Sequence, residues 1–201
     1  LRSKKGGRKL NLPNQLTVLR ILMIPIFVVI LVAPFDLGTL AIAGISLPIT
    51  HLLAAIIFAV ASVTDWLDGY IARARHLVTN FGKFADPLAD KMLVMTAFVL
   101  LVDLGMVPGW IVAVIICREL AVTGLRLLLV EDGEVMAAAW PGKIKTATQM
   151  LAIILLLIQN VPFSMLGIPV DQIMLYICLI ATVYSGVDYF AKNTAVFKGS
   201  M

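Results

Sequence analysis

Residues 65–90 read DWLDGYIARARHLVTNFGKFADPLAD, and they decide the fold because they join two long apolar runs, at 49–67 and 87–105. Each run is long enough to cross the roughly 30 Å of hydrocarbon in a bilayer as a helix. Four further runs of helical character complete the chain, near 16–34, 108–130, 144–160 and 169–190. The sequence therefore predicts an all-α polytopic membrane protein with six transmembrane helices.

Composition favours a single membrane domain over 1–201, with a basic tail at 1–10. Hydrophobic residues make up 61% of the 201 positions and charged residues 14%, whereas soluble domains are roughly half apolar and a quarter charged. Six spans with short loops account for this length, so a second, water-soluble domain does not fit. The net charge of +4 suits an anionic inner leaflet, and membrane lipids rather than nucleic acid are the expected partners.

The distribution of positive charge predicts the orientation. No Lys or Arg occurs in the segments 35–48, 103–109 and 160–171. Because Lys and Arg in short loops are retained on the cytoplasmic side, these segments should lie outside and both termini in the cytoplasm. We therefore expect a multi-pass protein of the cell (inner) membrane, with a polar cavity that opens to the cytoplasm.

Four aspartates lie where the second and third spans meet. Asp65 and Asp68 are three residues apart, and Asp86 and Asp90 are four apart, so each pair shares one face of a helix. Carboxylates that converge in or beside a membrane need a positive partner or an ion. Oxygen ligands select Mg²⁺, Mn²⁺ or Ca²⁺, and a cluster of this size suits a two-metal site for phosphoryl displacement. In a structural alternative, the aspartates only form ion pairs with neighbouring cations, namely Arg73, Arg75, Lys83 and Lys91.

The other candidate ligands and nucleophiles carry no pattern. Cys117 and Cys178 fall within apolar spans without CxxC spacing, so we expect free thiols. His51 and His76 are isolated and lack ligand spacing. The chain contains no P-loop, no Ser-His-Asp arrangement and no HExxH motif, so ATPase and hydrolase interpretations have no support.

The residues around the aspartates resemble a known family. They match the CDP-alcohol phosphotransferase signature D-x2-D-G-x2-A-R-x8-G-x3-D-x3-D at every specified position, from Asp65 to Asp90. Three other segments, at 11–20, 118–126 and 142–146, look like those of bacterial phosphatidylglycerophosphate synthases. The resemblance implies a metal-dependent enzyme that joins CDP-diacylglycerol to a small alcohol, and it further suggests a homodimer.

The resemblance also implies roles for single residues. Asp65, Asp68 and Asp86 would bind Mg²⁺ or Mn²⁺, as two ions, and Asp90 would act as the base or share in the metal site. The family pattern places the CDP moiety against a larger set of residues: Asn14, Thr17, Arg20, Asp65, Asp68, Gly69, Ala72, Arg73 and Gly82. In the expected reaction, Asp90 accepts the proton of an alcohol whose oxygen attacks the β-phosphorus as CMP leaves.

The acceptor is expected to be sn-glycerol 3-phosphate, giving phosphatidylglycerophosphate. Its near-dianionic phosphate requires fixed cations near, but separate from, the metal cluster. Arg118 lies about midway along the fourth span, where an unpaired guanidinium is costly, and Arg126 follows on about the same helix face. The predicted phosphate site also includes residues nearby in the sequence or at the start of span five, namely Thr123, Lys143 and Lys145.

Four further alternatives arise from the sequence. Arg118 could instead pair with Glu119 or an aspartate, although adjacent helical residues do not face each other. Within the same chemistry, the acceptor could be inositol phosphate, serine or phosphatidylglycerol. Outside it, an ion-coupled transporter would also place charges in the membrane, but it predicts an inverted repeat, and the two halves here differ. A scaffold protein would leave the four acids unexplained.

Overall fold

The computed structural model describes the backbone of residues 12–74, 80–131 and 140–194. It describes the side chains of residues 14–65, 88–129 and 140–194, with the exception of residue 162. Of the sequence predictions, those for the side chains of Asp68, Gly69, Ala72, Arg73, Gly82 and Asp86 therefore lie outside the described residues. The same holds for the basic tail at 1–10 and for His76.

Six long helices make up most of the described chain, and they confirm the all-α prediction. Each corresponds to one of the predicted apolar runs, in chain order. Their bounds are α1 Leu12–Val32, α2 Ile49–Ala74, α3 Asn80–Asp103, α4 Gly109–Glu131, α5 Trp140–Leu157 and α6 Val170–Lys192. A 3₁₀ helix, Val161–Leu166, connects α5 to α6.

The second and third helices are longer than their apolar runs. α2 continues past residue 67 to Ala74, and α3 begins at Asn80 rather than at 87. A helix satisfies its own backbone hydrogen bonds, so it can continue beyond the apolar run when its next residues are polar. As a result, the backbone at all four signature aspartates is helical, two on α2 and two on α3.

A short β-hairpin between α1 and α2 was not predicted. β1 (Thr39–Ile42) pairs with β2 (Ile45–Pro48) in an antiparallel register that places Ile42 opposite Ile45. The two residues between the strands, Ala43 and Gly44, both have positive φ, at 54° and 81°. Positive φ at both central positions belongs to the tight turn that matches the twist of paired strands, and glycine adopts it without strain.

The helices form two groups that share α3 and α5. α1 packs against α2 and α3, α6 packs against α4 and α5, and α5 also contacts α2 and α3. The interior is apolar, and Phe27, Phe58 and Phe98 are fully buried within it. The rings of Phe27 and Phe58 contact each other across α1 and α2, with their centroids 6.2 Å apart.

The outer surface of the bundle is also apolar. Val63 of α2, Leu120 and Leu127 of α4 and Ile180 of α6 lie on three different helices, and each is more than 60% exposed. A soluble protein rarely leaves such side chains in water over a large area. Within the described residues, two helical stretches are long and apolar enough to cross a membrane, Asn14–Val32 and Val170–Lys192. The fold therefore fits a protein of the membrane.

Candidate functional site

Helix α1 presents a polar face near its beginning. Asn14, Thr17 and Arg20 are spaced three residues apart, so they share one side of the helix. All three are buried, and Thr17 and Arg20 are fully so. Arg20 Nη1 donates a hydrogen bond to Asp65 Oδ1 of α2 at 2.5 Å. The packing of α1 on α2 thus brings the predicted CDP-binding residues of α1 to the first signature aspartate.

Asp90 joins this group from the early part of α3. Its carboxylate is partly buried and lies within electrostatic range of Asp65 and Arg20. Two carboxylates that interact electrostatically, with an arginine paired to one of them, offer oxygen donors of the kind that hard divalent cations prefer. Among the described side chains no group of three metal-binding residues forms, and the other two predicted ligands, Asp68 and Asp86, lie on the same two helices.

The structural alternative for the aspartates is described only at Lys91, since the side chains of Arg73, Arg75 and Lys83 lie outside the described residues. Asp65 pairs with Arg20, a residue that the alternative did not include. Lys91 donates a hydrogen bond to the hydroxyl of Thr123 on α4. Thr123 in turn donates to the carbonyl oxygen of Glu119 at 2.6 Å. Lys91 thus belongs to a second polar group, formed by α4, α5 and α6.

Glu119 is the central anion of this second group. Lys145 Nζ of α5 donates to Glu119 Oε1 at 2.5 Å, and Arg118 Nη1 lies 3.2 Å from the same oxygen. The side chains of all three are about 90% buried. Arg118 and Glu119 therefore do pair, contrary to the expectation for adjacent helical residues, because both side chains are long enough to turn toward Lys145.

Helix α6 supplies further contacts that the sequence did not predict. Arg118 Nη2 donates to Ser185 Oγ at 2.7 Å, and Arg126 Nη2 donates to the hydroxyl of Tyr189 at 3.0 Å. The Tyr189 ring also lies beneath both guanidinium groups, 5.6 Å and 5.5 Å from their Cζ atoms to its centroid. The sequence signal for these contacts is the spacing of Ser185 and Tyr189, which are four residues apart and so lie on one face of a largely apolar span.

The predicted phosphate-binding residues are only partly brought together. Arg118, Lys145 and Thr123 all contact Glu119, and Arg126 reaches the group through Tyr189. The ammonium of Lys143 instead lies over the ring of Trp140, 5.2 Å from its centroid. Lys143 and Lys145 therefore do not converge on one anion in this structure.

One donor in this group has no hydrogen-bond partner among the described residues. Arg118 Nε is buried and makes no hydrogen bond to any described residue. A buried polar group without a partner is costly, and such groups often face a ligand or a water molecule. The second group therefore combines an excess of cations over anions with a donor that a bound anion could satisfy.

Helix α3 connects the two polar groups through adjacent residues. Asp90 interacts electrostatically with Asp65 and Arg20 of the first group and with Lys145 and Glu119 of the second. Lys91 is directed to Thr123 in the second group. The acidic group and the cationic group thus lie side by side, at the end of the bundle where α1, α3 and α5 begin and α2, α4 and α6 end.

Comparison with known proteins assigns the chain to a family. Residues 10–184 match the model of the CDP-alcohol phosphatidyltransferase family. A protein of Bacillus subtilis (strain 168), named CDP-diacylglycerol–glycerol-3-phosphate 3-phosphatidyltransferase, is 52% identical over 190 residues, which cover 94% of this chain and 98% of the relative. A Haemophilus influenzae protein with the same name is 37% identical over 198 residues, which cover 96% of each chain. A "probable phosphatidylglycerophosphate synthase" of Mycobacterium tuberculosis (strain CDC 1551 / Oshkosh) is 38% identical, over 92% of this chain and 83% of its own.

Proposed function

The chain belongs to the CDP-alcohol phosphatidyltransferase family, and we propose that it transfers the phosphatidyl group of CDP-diacylglycerol to sn-glycerol 3-phosphate. The products are phosphatidylglycerophosphate and CMP, and the reaction serves phospholipid biosynthesis. The relatives whose names state this reaction include one that is 52% identical over nearly the whole chain. The observation that carries the proposal is the placement of an acidic group beside a cationic group, with α3 between them.

The two groups suit the two substrates. A CDP-lipid carries a pyrophosphate, whose charge requires cations and metal, and the first group offers Arg20 beside Asp65 and Asp90. The acceptor carries its own phosphate, which requires separate cations. The second group offers Arg118, Arg126 and Lys145, with Lys91 nearby. Asp90 interacts electrostatically with residues of both groups, which suits a role in activating the acceptor hydroxyl.

Asp65, Asp68 and Asp86 would hold the divalent metal, Mg²⁺ or Mn²⁺ and as two ions, and Asp90 would act as the base or share in the metal site. When bound, these ions neutralise the charge that develops on the pyrophosphate during displacement. The donor set fits, because Asp65 and Asp90 are close enough to repel each other and both are oxygen ligands. Arg20 orients Asp65 through its 2.5 Å hydrogen bond, which fixes this carboxylate before substrate arrives.

The reaction then depends on Asp90 as the base. Its carboxylate accepts the proton of the acceptor hydroxyl while that oxygen forms a bond to the β-phosphorus of CDP-diacylglycerol. The bond from that phosphorus to the bridging oxygen breaks at the same centre, and CMP leaves with the electron pair. Base catalysis of this kind contributes about 10²–10⁴-fold, and positioning of the two substrates supplies most of the remainder.

We place the site at the cytoplasmic ends of six transmembrane helices, with a polar cavity open to the cytoplasm. The support is the absence of Lys and Arg from 35–48 and 160–171 and the exposed apolar side chains around the bundle. Cysteines introduced at Leu40 and Met165, in a background lacking Cys117 and Cys178, should react with an impermeant maleimide added outside intact cells. A cysteine at Lys143 should react only after lysis, and the reverse pattern would refute the orientation.

The acceptor is tested directly with purified protein. CDP-diacylglycerol labelled in its lipid is offered with sn-glycerol 3-phosphate, inositol phosphate, serine or phosphatidylglycerol, in the presence of Mg²⁺ or Mn²⁺. Phosphatidylglycerophosphate and CMP should form in equal amounts with glycerol 3-phosphate and much more slowly with the others. A faster reaction with another acceptor would refute the assignment while keeping the phosphatidyl transfer. The family resemblance also suggests a homodimer, which the mass of the protein in detergent would test.

A further inference from the structure

We propose that Tyr189 is a positioning residue, which holds Arg118 and Arg126 in the arrangement that binds the phosphate of the acceptor. The inference rests on the proposed function, because it concerns the acceptor side of the same site. Tyr189 lies near the end of α6, and only 3% of it is exposed. Among the described residues, Tyr189 contacts both arginines of α4.

The Tyr189 ring holds two arginine side chains at once, and we call this arrangement of Arg118, Arg126 and Tyr189 the brace. Arg118 and Arg126 are eight residues apart on α4, so their side chains leave the same helix face about two turns apart. Both guanidinium groups nevertheless lie within 5.6 Å of the centroid of one ring. A cation at such a distance from an aromatic face is attracted by the negative π surface. The hydroxyl adds a direct hydrogen bond from Arg126 Nη2 at 3.0 Å.

Such a brace matters because arginine is long and flexible. A free guanidinium samples many rotamers, and binding a phosphate bidentately requires one of them. The cost of ordering is removed from the binding step when the side chain is already fixed. Tyr189 fixes Arg126 through the ring and the hydroxyl, whereas Arg118 has additional partners in Ser185 and Glu119.

Two glycines leave room for this arrangement. A Cβ at Gly186, one turn before Tyr189, would lie 3.0 Å from Cγ of Arg118, so α6 approaches that arginine closely. A Cβ at Gly142 of α5 would lie 3.3 Å from the Tyr189 hydroxyl oxygen. The ring is therefore confined by α4 on one side and by the beginning of α5 on another. At Gly142, the α5 backbone therefore comes close to the Tyr189 hydroxyl.

The test compares two variants. Tyr189→Phe keeps the ring and loses only the hydroxyl, whereas Tyr189→Leu removes the aromatic ring as well as the hydroxyl. For Tyr189→Leu, the apparent KM for glycerol 3-phosphate should rise about tenfold or more, and Tyr189→Phe should show a smaller rise of about threefold. The KM for CDP-diacylglycerol should change less than about twofold in both. Tyr184→Leu is the matched control, because this tyrosine is on the same helix with its side chain 63% exposed, and it should leave both KM values unchanged.

A binding measurement separates this proposal from the proposed function. Titration of glycerol 3-phosphate into the wild-type protein and both variants, with CDP-diacylglycerol absent, should show weaker binding in the order wild type, Phe, Leu. If the wild type does not turn over glycerol 3-phosphate, the proposed function fails, and titration of inorganic phosphate then tests the brace alone. Equal affinity of wild type and Tyr189→Leu, or an equal rise in both KM values, would overturn the positioning role. If Tyr189→Leu does not fold, Tyr189→Phe with wild-type affinity has the same meaning.

Discussion

Arg20 and Asp65 are joined across the α1–α2 interface by a hydrogen bond of 2.5 Å, with the arginine side chain completely excluded from solvent. Only the arginine of this pair is fully buried, since the Asp65 side chain is 31% exposed, and a buried charge that loses its partner is left without compensation. It also connects the first helix to the signature motif, although the two residues are 45 positions apart.

Arg20→Met should weaken binding of the CDP-lipid more than binding of the acceptor. The variant removes the cation beside Asp65, and we expect the KM for CDP-diacylglycerol to rise about tenfold or more, with little change for glycerol 3-phosphate. Steady-state kinetics with each substrate varied in turn will measure this. Leu22→Ala, on the exposed side of the same helix, is the control. An unchanged KM for the CDP-lipid would contradict a role of Arg20 in this site.

Turnover should depend strictly on a divalent cation. Chelation should abolish activity, and added Mg²⁺ or Mn²⁺ should restore it. Asp65→Asn, Asp68→Asn and Asp86→Asn should each lose nearly all activity, because one ligand charge is removed beside the pyrophosphate. Asp90→Asn should reduce turnover more than it reduces binding of the CDP-lipid. Equal loss of binding and turnover in that variant would assign Asp90 to the metal rather than to proton transfer.

The two lysines at the beginning of α5 should differ in their effect on the acceptor. Lys145 contacts Glu119 within the cationic group, whereas Lys143 lies over Trp140. Lys145→Gln should therefore raise the KM for glycerol 3-phosphate by about tenfold or more, and Lys143→Gln should raise it less. Arg118→Gln and Arg126→Gln should resemble Lys145→Gln. A larger effect at Lys143 would mean that the lysines exchange positions when the acceptor binds.

Glu119→Gln should reduce the stability of the fold. Glu119 is the buried counter-ion of Lys145 and Arg118, and removal of one partner from a buried pair destabilises by about 3–5 kcal/mol. Thermal unfolding in detergent will measure the change. Lys192→Gln is the matched control, because it breaks the exposed pair with Asp188, and exposed pairs contribute little. Equal unfolding temperatures for the two variants would contradict the central role of Glu119.

Substitution of two helical glycines by alanine should affect different properties, the stability of the fold at Gly124 and the binding of glycerol 3-phosphate at Gly186. A Cβ at Gly186 meets Cγ of Arg118 at 3.0 Å, whereas a Cβ at Gly124 meets nothing within 4 Å. Alanine in a helix interior is favoured over glycine by about 1 kcal/mol when there is space for it. Gly124→Ala should thus unfold at a higher temperature, and Gly186→Ala should raise the KM for glycerol 3-phosphate by displacing Arg118. Wild-type kinetics in Gly186→Ala would show that Arg118 can move without consequence.

The helices were predictable, since each apolar run of sufficient length can satisfy its backbone only as a helix in lipid. The hairpin was not predicted, because the turn signal is a single glycine after Ala43 in a segment judged only by its lack of positive charge. The signature identified Asp65 and Asp90, and the α1 segment identified Arg20. The contacts made by Arg118, Arg126 and Lys145 depend instead on how α4, α5 and α6 pack. Glu119 was set aside because it follows Arg118 directly, and Tyr189 carries no charge to attract attention.

Ser164 Oγ donates a hydrogen bond of 3.1 Å to the carbonyl oxygen of Ala43, and this contact bears on the order in which parts of the bundle can form. Ala43 is at the tip of the hairpin, and Ser164 is in the 3₁₀ helix 121 residues later. A chain that is synthesised from its N-terminus cannot form this contact until α5 has been completed. The end of the bundle opposite the polar groups therefore gains this contact only after α5 has been synthesised. The hairpin itself can form earlier, because its strands pair only with each other and are adjacent in the sequence.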